Sequence, residues 1–330
     1  MKEAMLAGIA AIGAHVPSRR VTNDELAKLV DTSDEWIRSH TGIGSRHIAD
    51  DGVATSDLAV AAVNDMMARF KTDLSCVDGL IVATATQDYP GFPSTACVIQ
   101  AKLGLPPIAA FDISAGCTGF IYAVEIARGM VAGGNFRNVL VVGAEKLSAI
   151  TDWSDRNTCV LFGDAAGCAL VSSSVSGGTA IVDGVLHSEG SGAAFLCIPH
   201  GGTASPQAPD DGTKAGKLAM DGRSVYNFAV KAMGQVIEEL MQRNNLGWDD
   251  IDWVVPHQAN SRIIAAAAKR LGIGQDKFFM NIESYANTSA ASIPLALSEM
   301  QRDGLLHRGQ RLLTVGFGAG LTYGGNYIIW

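Results

Sequence analysis

Apolar and polar positions along the chain follow two different periods. Runs of consecutive apolar residues recur at 4–16, 77–84, 139–143, 166–172, 251–255 and 312–316. Bounded by Gly, Pro and Asp, such runs predict buried strands. Between them apolar residues return every three or four positions, as with Leu58, Ala61, Ala62 and Met66 inside 55–70. Similar spacing at 94–103, 120–127 and 225–243 predicts helices packed on those strands. Thr22 with Glu25 three residues later predicts a helix start, and Thr32-Ser33 ahead of Asp34-Glu35 predicts another. Residues 41–46 read as a turn, 155–167 as a Gly- and Asp-bearing segment, and 187–219 as a long irregular surface insertion.

Strands alternating with helices define an α/β class. The pattern also repeats. Residues 77–82 resemble 251–256, and 139–143 resemble 312–316, offsets of 174 and 173. Two matches at nearly one offset predict a duplicated chain, with halves 1–173 and 174–330. Each half would supply a mixed, mainly parallel sheet covered by helices. Chance likeness between buried strands is the competing reading.

Composition narrows the class of function. The 330 residues are 48% hydrophobic and 18% charged, enough to bury a large core. A net charge of −8 with no run of Lys or Arg argues against nucleic acid as a partner. Six cysteines without C-x-x-C or zinc spacing read as reduced thiols in a cytoplasmic protein, with no metal site. The apolar 4–16 run resembles a signal-peptide core. Lys2 is offset by Glu3 and glycines interrupt the run, so a first buried strand is expected instead. No run of 18 apolar residues is present, so no membrane span is expected.

Candidate chemistry gathers where strands meet helices. Cys117 sits among Ser114, Ala115, Gly116, Thr118 and Gly119, between an apolar strand end and an apolar helix. Small neighbours admit a substrate, and a helix N-terminus favours the thiolate. A buried structural cysteine fits the same residues. His257 follows the strand 251–255, where open α/β sheets build sites, although a lone His there also fits a structural role. Asn287 lies in a second small-residue junction, 281–292, which matches the Cys117 junction under the duplication. Asn287 would then lie near Cys117, or simply cap a helix. The loop 316–320 could donate backbone N–H groups to an oxyanion, or be only a tight turn.

Taken together, TSDEWI (32–37), GFPSTAC (91–97), FDISAGCTGF (111–120), SDRNTCVLFGDAAG (154–167), PHQANSRI (256–263), NTSAAS (287–292) and GFGAGLTYG (316–324) resemble the β-ketoacyl-acyl-carrier-protein synthase III family. These thiolase-fold condensing enzymes start type II fatty-acid synthesis. The motifs occur in the family's order and span nearly the whole chain. The resemblance implies a thiolase-like fold of two halves in an αβαβα layered arrangement. It implies that Cys117 is acylated by an acyl-CoA, and that His257 and Asn287 then assist decarboxylative condensation with malonyl-acyl-carrier protein. Backbone groups at Cys117 and Ala319 would hold an oxyanion. Thr32, Trp36, His40 and Arg156 would meet CoA, with the adenine clamped between Trp36 and Arg156. Phe92, lent across a homodimer, and Tyr226 would shape the acyl pocket. Arg262, Lys269 and Arg270 would receive the acidic carrier. CoA thioesters would be substrates, and no cofactor is implied. Three positions depart from the usual pattern: His40 replaces Arg, Ala319 replaces Gly, and Tyr226 replaces Phe.

Other functions compete. A papain-like protease also orders Cys, His and Asn this way, but its C-G-[SA]-C-[WY] signature is absent. A non-catalytic binding homologue would not need all three polar residues. A related condensing or acyl-transfer enzyme of polyketide or alkylquinolone synthesis shares the motifs and differs in starter or acceptor.

Overall fold

In the computed structural model, which describes residues 6–175, 178–209 and 214–330, the apolar runs form two large sheets. The first has the strand order Gly8–His15, Ala165–Ser172, Asn138–Glu145, Gly79–Ala83, Ala109–Ile113. The second, read in the same sense, runs Ala180–Ser188, Thr322–Ile329, Arg311–Gly318, Trp253–Pro256. Pairing directions match position by position. The first two junctions are antiparallel and the third is parallel in both sheets. Ala109–Ile113 adds a further parallel strand to the first sheet. In the second sheet a single parallel bridge, Val254 to Phe278, takes that place.

Both sheets are therefore mixed, but not mainly parallel as expected. A strand buried on both faces reads as the same apolar run in either direction. Direction is set by the connections, and residues 319–321 are too short for anything but an antiparallel return.

Helices complete five layers. Thr55–Phe70 and Thr95–Lys102 cover the outer face of the first sheet, and Gly222–Arg243 and Ser261–Leu271 that of the second. Gly119–Ala132 and Ser292–Arg302 lie between the sheets. There Phe120, Ile121, Val124, Ile293 and Leu297 pack with Val141 of one sheet and Leu312 of the other. Fully burying each large apolar side chain contributes about 1.5–3 kcal/mol. Each middle helix starts from a single 3₁₀ turn, Gly116–Thr118 or Ser289–Ala291, and these two turns touch. Gly143 lets the second turn lie against the first sheet, since a Cβ there would fall 2.3 Å from the Ala290 carbonyl oxygen.

Local signals have physical counterparts. The Thr22–Glu25 capping box forms, although the helix it opens, Asn23–Leu26, is one turn long. The next helix, Asp34–Thr41, is capped by Ser33 rather than Thr32. The first strand begins at Gly8, and Lys2, Glu3 and the start of the 4–16 run lie outside the described residues. The segment 187–219 is less irregular than expected. It holds the 3₁₀ helix Gly190–Phe195 and a small pairing of Leu196–Cys197 with Ala219–Met220, while 210–213 lie outside the described residues. Among the described residues no helix is long and apolar enough to cross a membrane.

Candidate active site

Cys117 lies in the Gly116–Thr118 turn, buried, with the helix proper beginning at Gly119. The end of the strand Arg311–Gly318 rests on it. A Cβ on Gly318 would fall 2.5 Å from the Cys117 nitrogen, so only glycine fits there without displacing the turn. The Thr118 and Thr322 hydroxyls, 2.7 Å apart, tie this turn to the 319–322 loop.

His257 follows the strand Trp253–Pro256, and its N–H donates to the Val315 carbonyl at 2.8 Å. Its Nδ1 lies 2.7 Å from the Ser292 hydroxyl, and its buried Nε2 has no hydrogen-bond partner among the described residues. Burial pushes its pKa down to about 3, so the imidazole is neutral at ordinary pH. Asn287 is fixed through its backbone, donating to Leu161 and accepting from Gly163. Its Oδ1 accepts from the Ser289 N–H at 2.9 Å, which leaves Nδ2 as the donor toward the cavity.

Cys117, His257 and Asn287 line one cavity of about 380 Å³, walled by Leu161, Phe162, Tyr226 and Phe317. Small polar groups converging in an apolar hollow are the usual form of a reaction site. A larger hollow of about 780 Å³, lined by Arg19, Lys28, Asp50, Lys146 and Trp153, contains none of the three. Among the described residues no group of three or more His, Cys, Asp or Glu side chains is placed to hold a metal ion.

One electrostatic expectation is corrected. The helix N-terminus was expected to favour the Cys117 thiolate, yet the thiol is pushed up to about 12. Burial is the main cause, the Glu145 carboxylate adds repulsion, and the Ser289 hydroxyl opposes both. Desolvation of the buried thiol thus outweighs the groups that favour its charged form.

The other expected residues divide. Trp36 and His40 line the Cys117 cavity, their rings stacked with centroids 4.4 Å apart. Arg156 lies 4.4 Å over the Trp36 ring, so the space expected for an adenine between them is filled by the guanidinium itself. The buried Thr32 hydroxyl has no partner among the described residues, and Thr32 is not on the cavity wall. Tyr226 is on the wall, whereas Phe92 is 89% exposed and lines neither this cavity nor its neighbour. Ala319 borders that neighbouring cavity, also about 380 Å³, with Gly116, Leu196, Cys197 and Leu218. Arg262, Lys269 and Arg270 are exposed on the helix Ser261–Leu271, with Arg262 at the Cys117 cavity. Sequence reasoning missed Ser292, Ser289 and Glu145. Both serines lie inside the NTSAAS motif, and Glu145 stands at the polar end of an apolar strand.

A buried cysteine sharing one cavity with a neutral imidazole and a carboxamide, within a five-layer αβαβα frame, defines a thiolase-fold condensing acyltransferase. Family models described as 3-oxoacyl-[acyl-carrier-protein (ACP)] synthase III and its C-terminal part match residues 111–190 and 241–330. The chain belongs to the β-ketoacyl-[acyl-carrier-protein] synthase III family. It is 48% identical to the β-ketoacyl-[acyl-carrier-protein] synthase III of Caldanaerobacter subterraneus subsp. tengcongensis, covering 100% of this chain and 99% of that one. It is similar to the crystal structure of the Thermus thermophilus synthase III, with TM-score 0.91, 44% identity and coverage of 98% and 99%. It is also similar to the priming β-ketosynthase of the R1128 polyketide pathway, with TM-score 0.91, 33% identity and coverage of 100% and 97%. Relatives at 42–48% identity carry the synthase III name while the polyketide enzyme stands at 33%, which favours the fatty-acid reading over the polyketide alternative.

Proposed function

We propose that this enzyme condenses an acyl-CoA starter with malonyl-acyl-carrier protein through an acyl-enzyme on Cys117. The observation that carries the reading is the convergence of Cys117, the unpartnered His257 Nε2 and the Asn287 amide on one cavity. The Cys117 thiolate attacks the starter thioester, and CoA leaves. Backbone N–H groups of Cys117 and Ala319 hold the oxyanion. Malonyl-carrier then loses CO₂, and its thioester oxygen becomes an enolate. A neutral His257 with a proton on Nε2 and the Asn287 Nδ2 supply two donors to it. The carbanion attacks the acyl-enzyme, and the 3-oxoacyl-carrier leaves.

Trp36, His40 and Arg156 are read as the CoA contacts, with Thr32 nearby. Arg156 then swings off the Trp36 ring to admit an adenine. Tyr226 and a partner's copy of Phe92 would bound the acyl chain. A homodimer is supported by the strand Ala109–Ile113, which among the described residues has a neighbour on one side only, and by exposed Tyr89 and Phe92 nearby in sequence. Arg262, Lys269 and Arg270 make a basic face on an acidic protein, suited to steering an anionic carrier. Six free cysteines fit a reducing cytoplasm. The halves 1–173 and 174–330 are read as duplicates, which the repeated strand order supports.

The test is mass spectrometry of the protein after exposure to a panel of acyl-CoAs, followed by malonyl-carrier. An acyl adduct should appear on Cys117, disappear when the carrier is added, and be absent in Cys117→Ala. An adduct on any other cysteine would overturn the assignment.

A further inference from the structure

Glu145 ends the central strand Asn138–Glu145 and is fully buried. A buried carboxyl group is costly unless it is held by donors. This one is held by the Ala85 N–H at 3.1 Å, the Thr86 hydroxyl at 2.8 Å and the Ser289 hydroxyl at 3.0 Å. Lys146, next in the chain, turns its Nζ instead to the carbonyls of Asp50, Asp51 and Val53. Among the described residues no cation contacts Glu145 through a hydrogen bond or ion pair. The titratable group that feels it is Cys117, whose thiol the Glu145 carboxylate pushes up.

Ser289 joins these groups. Its hydroxyl donates to Glu145, its N–H holds the Asn287 amide, and its turn touches the Cys117 turn, where its side chain helps to hold the Cys117 thiol down. Its φ of +49° is left-handed, which costs a non-glycine residue of order 1 kcal/mol and persists only where the surroundings enforce it. The outlier keeps Oγ on the Glu145 carboxylate, beside the Cys117 turn.

We propose that Glu145, acting through the Ser289 hydroxyl, stores the Cys117 proton between the two half-reactions, an inference that rests on Cys117 being the acylated nucleophile. A hydroxyl has one proton. While it donates to the Glu145 carboxylate, its oxygen can accept from the Cys117 S–H. One concerted shift breaks the S–H bond and the Ser289 O–H bond, and forms a new Ser289 O–H and a Glu145 O–H. The products are a thiolate that accepts a hydrogen bond from Ser289 and a neutral carboxylic acid. Total charge in the buried site stays at −1, so no second charge is desolvated. His257 is the poorer acceptor, because its imidazolium would be buried facing a hydroxyl rather than a carboxylate.

The cycle balances. In acylation the thiolate displaces CoA thiolate, which takes its proton from solvent, while the Cys117 proton stays on Glu145. In condensation the malonyl carboxylate leaves as CO₂, the carbanion expels the Cys117 thiolate, and the stored proton returns through Ser289. One proton is consumed per turnover, as loss of a carboxylate as CO₂ requires. Burial pushes Glu145 up to about 7, near the working range of such a store.

The test is the rate of Cys117 alkylation by iodoacetamide across pH 5 to 10. It is read by peptide mass, because Cys76 and Cys97 are exposed and also react. In the unmodified protein the rate should rise as Glu145 ionises near pH 7 and then level off. Glu145→Gln keeps the shape and the hydrogen bonds but cannot take the proton. It should lose that inflection, and its rate at pH 8 should fall at least about tenfold. Glu145→Asp should restore the inflection. Ser289→Gly, which suits the left-handed φ and removes the relay, should behave like Glu145→Gln and carries the test if the latter does not fold. An unchanged inflection in Glu145→Gln or Ser289→Gly, or a rate at pH 8 equal to or above that of the unmodified protein, would overturn the proposal. A missing acyl adduct on Cys117 would instead overturn the nucleophile assignment, independently of these profiles.

Discussion

His257 presents Nδ1 to the Ser292 hydroxyl at 2.7 Å and keeps Nε2 buried with no partner among the described residues. The partner of one ring nitrogen sets the tautomer at the other. A Ser292 O–H that donates to Nδ1 leaves the proton on Nε2, aimed at the cavity. A buried donor left unmade costs about 1–3 kcal/mol, which a substrate oxygen recovers on arrival.

Ser292→Ala should therefore release the tautomer. CO₂ release from malonyl-carrier should fall by up to about 10²-fold, the size of one lost oxyanion donor. Ser292→Thr keeps the hydroxyl and should stay close to the unmodified rate. Equal rates in all three proteins would mean that Ser292 does not set the proton.

Asn287→Ala should separate the half-reactions. Acylation by acyl-CoA should remain within roughly tenfold of normal, while decarboxylation falls by about 10²–10³. Labelled acyl transfer and CO₂ release, measured on one preparation, make the comparison. Equal losses in both would make Asn287 a positioning residue for the thiolate, as in a cysteine hydrolase.

Gly318→Ala should damage rate more than stability. The new Cβ would fall 2.5 Å from the Cys117 nitrogen and 3.1 Å from its Cβ. Overpacking of this kind costs about 1–3 kcal/mol, and misplacing a reacting group by an ångström can cost about 10²-fold in rate. Acylation kinetics and Tm, measured together, should show a large loss in the first and a shift of a few degrees in the second.

Stability should depend on pH in two opposed ways. His257 titrates near 3 when folded against 6.5 ordinarily, so between those values the unfolded chain alone takes the proton. Stability then falls as pH drops below 6.5. Glu145 titrates near 7 against 4.5, so the folded chain alone holds a proton between those values, and stability falls as pH rises through 7. Urea midpoints at pH 4, 5.5 and 7.5 test both. His257→Asn should lose less than the unmodified protein between 5.5 and 4. Glu145→Gln should lose less between 5.5 and 7.5.

What the sequence made legible follows from period and packing. Thr55–Phe70 could be read to the residue because its apolar face recurs at helical spacing, and the middle helices because small-residue junctions mark their starts. Strand direction was not legible, since Ala165–Ser172 is buried throughout and looks alike either way. Cys117, His257 and Asn287 stood out through their motifs. Glu145 and Ser289 did not, because their meaning lies in contacts 144 residues apart. The Cys117 ionisation was misjudged for a related reason: a helix start is visible in sequence, whereas the burial that outweighs it comes from the Arg311–Gly318 strand.

The middle pair of helices has a consequence beyond filling space. Gly119–Ala132 departs from the Cys117 turn, and Ser292–Arg302 begins with the serine that orients His257. The spacing between nucleophile and donors is thus set by how these two rods lie between the sheets, as a gauge block sets a gap. Phe120, Ile121 and Leu297 touch no substrate in this scheme, yet they belong to that gauge. Trimming one of them changes the width of the gap, so turnover becomes the sensitive reporter of core packing and fails while the protein is still folded.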